Sequence, residues 1–221
     1  MTRPQQLRLT ALVPLLALGL WAGCGFGDDT TLSRARKALV VGDVDRAREL
    51  VSGSDAVPAD LSRVLVSAVE LDGEPGADWS VTAGPILDAV SGAYQRARSD
   101  ERAAIDSYVS DRQLRRTRAA AAAADFAVER LVIWLDGASE GELLSDPATA
   151  VDVALLATRS LDPAIARRAR VIVTRLGRAA TAPLAAAVSH DDPLIRASAV
   201  RWLSDLGTDA ALAAILPLIG T

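Results

Sequence analysis

Apolar residues recur at helical spacing along most of the chain, and no stretch shows the alternation of β-branched residues that a half-buried strand requires. Residues 32–41 and 44–52 predict a first helix pair that turns at Gly42-Asp43. A third helix is predicted over 59–71, with Leu61, Leu65, Ala68 and Val69 on one face, and Gly73, Pro75 and Gly76 end it in a polar loop. Residues 85–98 predict a fourth, after which Ser99-Asp100 is placed to cap the next helix. The stretch 100–136 reads as one long helix or two, because the alanine run 119–124 favours helix without marking a break. Leu131, Trp134 and Leu135 form its firmest apolar face, and 137–145 reads as a loop with room for a short helical turn.

Three Asp-Pro pairs follow, at Asp146-Pro147, Asp162-Pro163 and Asp192-Pro193. Aspartate accepts backbone N–H groups at a helix N-cap, and proline suits the first turn, where its missing N–H is not needed, so each pair predicts a helix start. Two of these starts open near-copies of one another. Asp162, Pro163, Ile165, Ala169, Leu176 and Gly177 recur thirty positions later as Asp192, Pro193, Ile195, Ala199, Leu206 and Gly207. Self-similarity at this period marks a stacked-repeat architecture, whose product is a long surface. Within the copies, Ile165, Ala169, Ile172, Val173 and Leu176 share a stripe, as do Ile195, Ala199, Trp202, Leu203 and Leu206. Arg167, Arg170 and Thr174, and likewise Arg201 and Ser204, point away from those stripes.

Asp192, Pro193, Ile195, Arg196, Ala199, Leu203, Leu206 and Gly207 resemble the HEAT family, especially its short bacterial, lyase-type form. The earlier copy departs from it at Ala166, where the family prefers arginine; Arg167 comes one place later. The clear resemblance covers about residues 147–221 and implies an all-α, right-handed α-solenoid of antiparallel helix pairs, with HEAT-like repeats over 146–221 and an irregular helical region over 32–145. In that family the second helices line a concave face, which makes Arg167, Arg170, Thr174, Arg201 and Ser204 candidates for partner contact. Ala35, Ala38, Gly42, Ala47 and Val51 also resemble the small, turn and apolar positions of a tetratricopeptide hairpin.

The N-terminus follows a different logic. Arg3 and Arg8 precede an apolar run that ends in Ala22, Gly23 and Cys24, the layout of a secretory signal peptide over 1–23. Trp21-Ala22-Gly23-Cys24 resembles the lipobox of bacterial lipoproteins, with Trp21 where the family usually has leucine. That resemblance implies acylation of Cys24, the one cysteine in the chain, and an exported, lipid-anchored protein. Gly25 stands where an inner-membrane retention signal would carry aspartate, which favours the periplasmic face of the outer membrane in a didermal cell. Residues 24–31 read as a tether.

Composition narrows the function further. The chain has 24 basic and 28 acidic residues, and excising a leader that carries Arg3 and Arg8 makes the remainder still more acidic. With aromatics at 4 %, neither the basic footprint nor the stacking surface of a nucleic-acid binder is present. His190, the single histidine, lies in Ser189-His190-Asp191-Asp192, where a capping turn accounts for it without a metal. Asp43-x-Asp45 is too short for a calcium loop, and Arg112, Arg115, Arg116 and Arg118 read as a solvated helix face. No catalytic set, cofactor or metal site is expected. The reading is a non-enzymatic scaffold holding an envelope protein, an acidic one if the arginines make the contact, beside the membrane; the alternatives are a lyase-like protein handling a small ligand, or a module that binds peptidoglycan or lipid directly.

Replacing Cys24 by serine is expected to release the domain from membranes without unfolding it. Intact-mass analysis of membrane-extracted protein checks the premise, since an unmodified cysteine there would overturn it.

Overall fold

The computed structural model describes residues 30–54, 57, 59–71, 79–106, 111–160 and 162–219, and among them the secondary structure is helical, with no strand. The residues read as a leader, Cys24 and most of those read as a tether lie outside the described residues. The elements are α1 (Thr30–Val40), α2 (Val44–Ser52), α3 (Ala59–Glu70), α4 (Trp79–Asp106), α5 (Asp111–Gly137), α6 (Glu140–Ser145), α7 (Pro147–Ala157) and α8 (Pro163–Leu176). A 3₁₀ turn (Gly177–Ala180) then leads to α9 (Thr181–Ala187), α10 (Pro193–Leu206) and α11 (Asp209–Ile219). Because α1 starts at Thr30, the last two residues assigned to the tether are helical.

Each early helix forms where the spacing of apolar residues gives it a buried face. Leu32, Ala35 and Ala38 of α1 meet Ala47 and Val51 of α2, and Leu61, Leu65, Ala68 and Val69 carry the core into α3. Asp43 settles the turn between the first two: its N–H donates to the Ala38 carbonyl at 2.9 Å, while its Oδ1 accepts from the Arg46 N–H at 3.0 Å and caps α2.

The fourth helix corrects the sequence expectation. It begins at Trp79, not Pro85, and runs through Ser99-Asp100, which therefore cap nothing. Trp79 is buried, its ring tilts against Trp134 at 5.6 Å between centroids, and its indole N–H donates to the Glu142 carbonyl at 3.1 Å. These contacts hold a full turn before the proline. Pro85 is exposed, so the backbone bond it cannot make lies on the solvent side, where water can replace it. The stretch left open as one helix or two holds the end of α4 and all of α5, with 107–110 between them outside the described residues.

The helical turn for which 137–145 left room is the short helix α6. Ser139 Oγ accepts from the Glu142 N–H at 3.3 Å and Glu142 Oε2 accepts from the Ser139 N–H at 2.6 Å, a reciprocal cap that also lowers the pKa of the Glu142 carboxyl. Leu143 is its buried anchor.

In the C-terminal third, Asp146, Asp162 and Asp192 each accept a backbone N–H from the first turn of the helix that follows, as their Asp-Pro pairs predict. Both apolar stripes face inward, fully buried except for half-buried Leu206. Gly177 and Gly207 close their helices at φ of 53° and 59°, a region that L side chains rarely enter. Each of these helices packs on its neighbours in the chain. Further along, α5 touches α3, α7 and α8, and α9 touches α7 and α11.

Arg175 of α8 joins the two halves. Its Nη1 donates to the carbonyls of Leu135 at 3.2 Å and Asp136 at 2.9 Å, and its Nη2 donates to the carbonyl of Ala138. These carbonyls lie at the C-terminal end of α5, where a helix has no partners of its own to offer. Arg168 adds an ion pair with Asp136 at 3.1 Å.

Trp202→Ala should cost roughly 3–5 kcal/mol by emptying a buried site, while Ala at the adjacent exposed Arg201 should stay within about 0.5 kcal/mol. Urea titration of the two variants measures the contrast; equal losses would mean that α10 faces the core with a different side.

Candidate functional site

The five residues proposed for partner contact are all exposed, Arg167, Arg170 and Thr174 on α8 and Arg201 and Ser204 on α10. The two helices are linked at the surface, since Arg170 Nη2 meets Asp205 Oδ2 at 3.0 Å. Arg170 is thus a neutralised member of the strip. Both side chains of this pair remain largely solvated, so it contributes at most about 1 kcal/mol and a competing carboxylate can open it. The Thr174 hydroxyl donates to the Arg170 carbonyl at 2.9 Å, a bond back along its own helix. Val171, exposed and one turn from both Arg167 and Thr174, adds an apolar contact that the sequence reading passed over.

A second group of polar residues lies inside. Tyr94 of α4, almost wholly buried, donates its hydroxyl hydrogen to Asp125 of α5. The Arg159 guanidinium covers the Tyr94 ring at 4.7 Å from its centroid and forms an ion pair with Asp192, the cap of α10. Burial, with the Asp125 charge and hydrogen bond adding to it, raises the Tyr94 hydroxyl far above the ordinary phenol range. Burial also raises the Asp125 carboxyl; the Tyr94 hydrogen bond and the charges of Arg36 and Arg159 oppose that rise, and Glu129 assists it. One turn further along α5, Glu129 accepts from Arg36 and from Arg130, each at 2.7 Å, and both guanidinium groups approach the Phe126 ring. These pairs tie α1, α4 and α5 to one another and the turn after α7 to the start of α10.

His190 belongs to the turn before α10. Its Nδ1 accepts from the Asp192 N–H at 2.9 Å, which puts the proton of the neutral ring on Nε2, and its carbonyl accepts from Arg196 at 2.6 Å. Thirty positions earlier Ser160 Oγ accepts from the Asp162 N–H at 3.1 Å. The histidine therefore fills a turn position that a serine fills in the other copy. Arg196 donates to the Asp191 carbonyl as well, at 3.0 Å, so the arginine that carries the repeat resemblance fastens a turn. Among the described residues no cluster of three or more His, Cys, Asp or Glu is placed to hold a metal ion. Arg116 and Arg118 are exposed on α5, while the side chains of Arg112 and Arg115 lie outside the described residues.

Tyr94, Asp125 and Arg159 escaped the sequence reading. Asp125 had a usable signal, a single acid between an alanine run and Phe126-Ala127, since charges are seldom buried without a partner. Nothing local marked its partner, thirty-one residues away in the chain. Compared with models of known families, with curated proteins and with solved structures, the chain matches none.

The two aspartate caps offer an internal comparison. Asp162 is exposed and serves only as a cap, whereas Asp192 is 4 % exposed and also carries the ion pair to Arg159. Asp162→Ala should cost about 1 kcal/mol. Asp192→Ala should cost about 3–5 kcal/mol, because it strands a mostly buried guanidinium. Denaturation midpoints of the two variants, at matched slopes, give the difference directly.

Proposed function

We propose that this chain is a non-enzymatic scaffold: a HEAT-like, right-handed helical solenoid, lipid-anchored through Cys24 at the cell envelope, that holds a protein partner along the outer strip of α8 and α10. The observation that carries this reading is the exposure of Arg167, Thr174, Arg201 and Ser204 on two consecutive repeat copies, beside an Arg170–Asp205 pair that links them. The order of packing, in which each helix meets chiefly those one to three places along the chain, supports the solenoid.

The partner's contact surface is acidic. Arg167 and Arg201 supply uncompensated charge, and an incoming carboxylate can take Arg170 from Asp205 at little cost, because that pair is solvated. Val171 gives the contact an apolar centre. The overall charge of −4 does not prevent this, since charges more than a Debye length away, about 8 Å at physiological salt, are screened.

Arg167→Gln with Arg201→Gln removes charge from the strip without adding a carboxylate that competes for the Arg170–Asp205 pair. Recovery of the partner with the cross-linked, membrane-bound chain should fall about tenfold, more at low salt, with helical content and thermal transition unchanged. Undiminished recovery would place the partner elsewhere.

A further inference from the structure

Away from the strip, α4, α7 and α9 surround a cavity of about 340 Å³ that the scaffold reading does not use. Its floor is made of Leu87, Leu155, Leu156 and Ile195, all of them buried core residues whose inner faces belong to three different helices. Its rim carries Asp88 and Ser91 from α4, Asp152 from α7 and His190 from the turn before α10. A smaller recess of about 60 Å³ shares Ser91, Leu156, His190 and Ile195 with it and reaches Tyr94 and Arg159. The volume lies at the lower end of the range in which proteins hold small molecules.

The charges of the rim select the ligand. Asp88 and Asp152 are both exposed, and neither has an arginine or lysine as an ion-pair partner among the described residues. The fixed cations beside it are already engaged, Arg159 of the recess by Asp192 and the Tyr94 ring and Arg196 by the His190 and Asp191 carbonyls. Two carboxylates free at the mouth of an apolar hollow repel anions and leave a neutral guest without compensation for the polar edge it covers. Although solvent reaches Asp152, the protein packed about its carboxyl and the neighbouring Asp146 raise its pKa, with His190 acting against them. A cation at the rim would relieve both penalties.

We propose that this cavity binds a small organic cation, its ammonium or guanidinium head held by Asp88 and Asp152 and its apolar body lying on Leu87, Leu155, Leu156 and Ile195. Walls on three sides suit a free molecule better than the side chain of a docked protein, whose backbone would have to follow the ligand down between α4 and α9. The inference stands apart from the partner strip, since the two share no residue.

Calorimetric titration of the purified chain with n-hexylammonium, hexanol and hexanoate tests it. Hexylammonium should bind at least tenfold more tightly than hexanol, and hexanoate should not bind. Asp88→Asn and Asp152→Asn should each weaken hexylammonium about tenfold, and Ala187→Phe, which fills the cavity from α9, should abolish binding, all with unchanged helical content. Equal affinity for hexanol, binding undiminished in the double Asn variant, or no heat with any of the three would overturn the proposal. A short lysine peptide that displaces hexylammonium and binds tenfold more tightly would overturn the free-molecule reading in favour of a partner side chain.

Discussion

How closely other helices can approach α5 governs this fold. Ala123, Ala124 and Ala127 are completely buried in it, and helices α3, α4, α7 and α8 all touch it. Methyl side chains let backbones come near one another on several sides at once, which larger residues would prevent. That closeness has a consequence for the charged residues the same helix carries. Asp125, Glu129 and Arg130 lie within the packed region, and burial of charge is tolerated only with partners. Tyr94, Arg36 and the Phe126 ring meet that demand from α4, α1 and α5 itself. The alanine run that makes the helix also makes a polar network around it necessary.

What could be read in the sequence was what lies close together in the chain. Helical spacing placed both C-terminal stripes on the buried side, and each Asp-Pro pair began a helix where expected. Local rules also mark the errors. Proline at 85 looked like a helix start because its missing N–H is harmless there; the structure makes it harmless another way, by turning that side to water and fixing the preceding turn through Trp79. The Ser139-Glu142 cap was legible and passed over among glycines and polar residues. By contrast, Arg175 and the carbonyls it serves are separated by about forty residues, and no short-range pattern announces such a bond.

The candidate strip was legible to the same extent. Angular position alone exposed all five side chains correctly, because a helix with one buried stripe has a determinate outer side. Charge state was not legible. Arg170 looked equivalent to Arg167 and is paired across to α10, and Arg196, one of the residues that carry the family resemblance, folds back onto two carbonyls of the preceding turn. Counting arginines therefore overstates how basic this surface is.

The preference for arginine over lysine follows from these roles. Lys37 is the one lysine in the chain, and several of the arginines that the structure explains need more than a point charge. Arg175 reaches three carbonyls from one planar group, Arg196 reaches two, and Arg159 covers the Tyr94 ring while it also meets Asp192. A lysine could supply the charge in each place but neither the fork of donors nor the face for stacking. Where helices are short and their ends numerous, unsatisfied carbonyls and exposed caps recur at every turn, and a side chain with five donors at the end of a flexible stem is the one that can close several of them together. The arginines at these helix ends thus serve first to close them, and exposed arginines such as Arg167 and Arg201 are what remains at the surface.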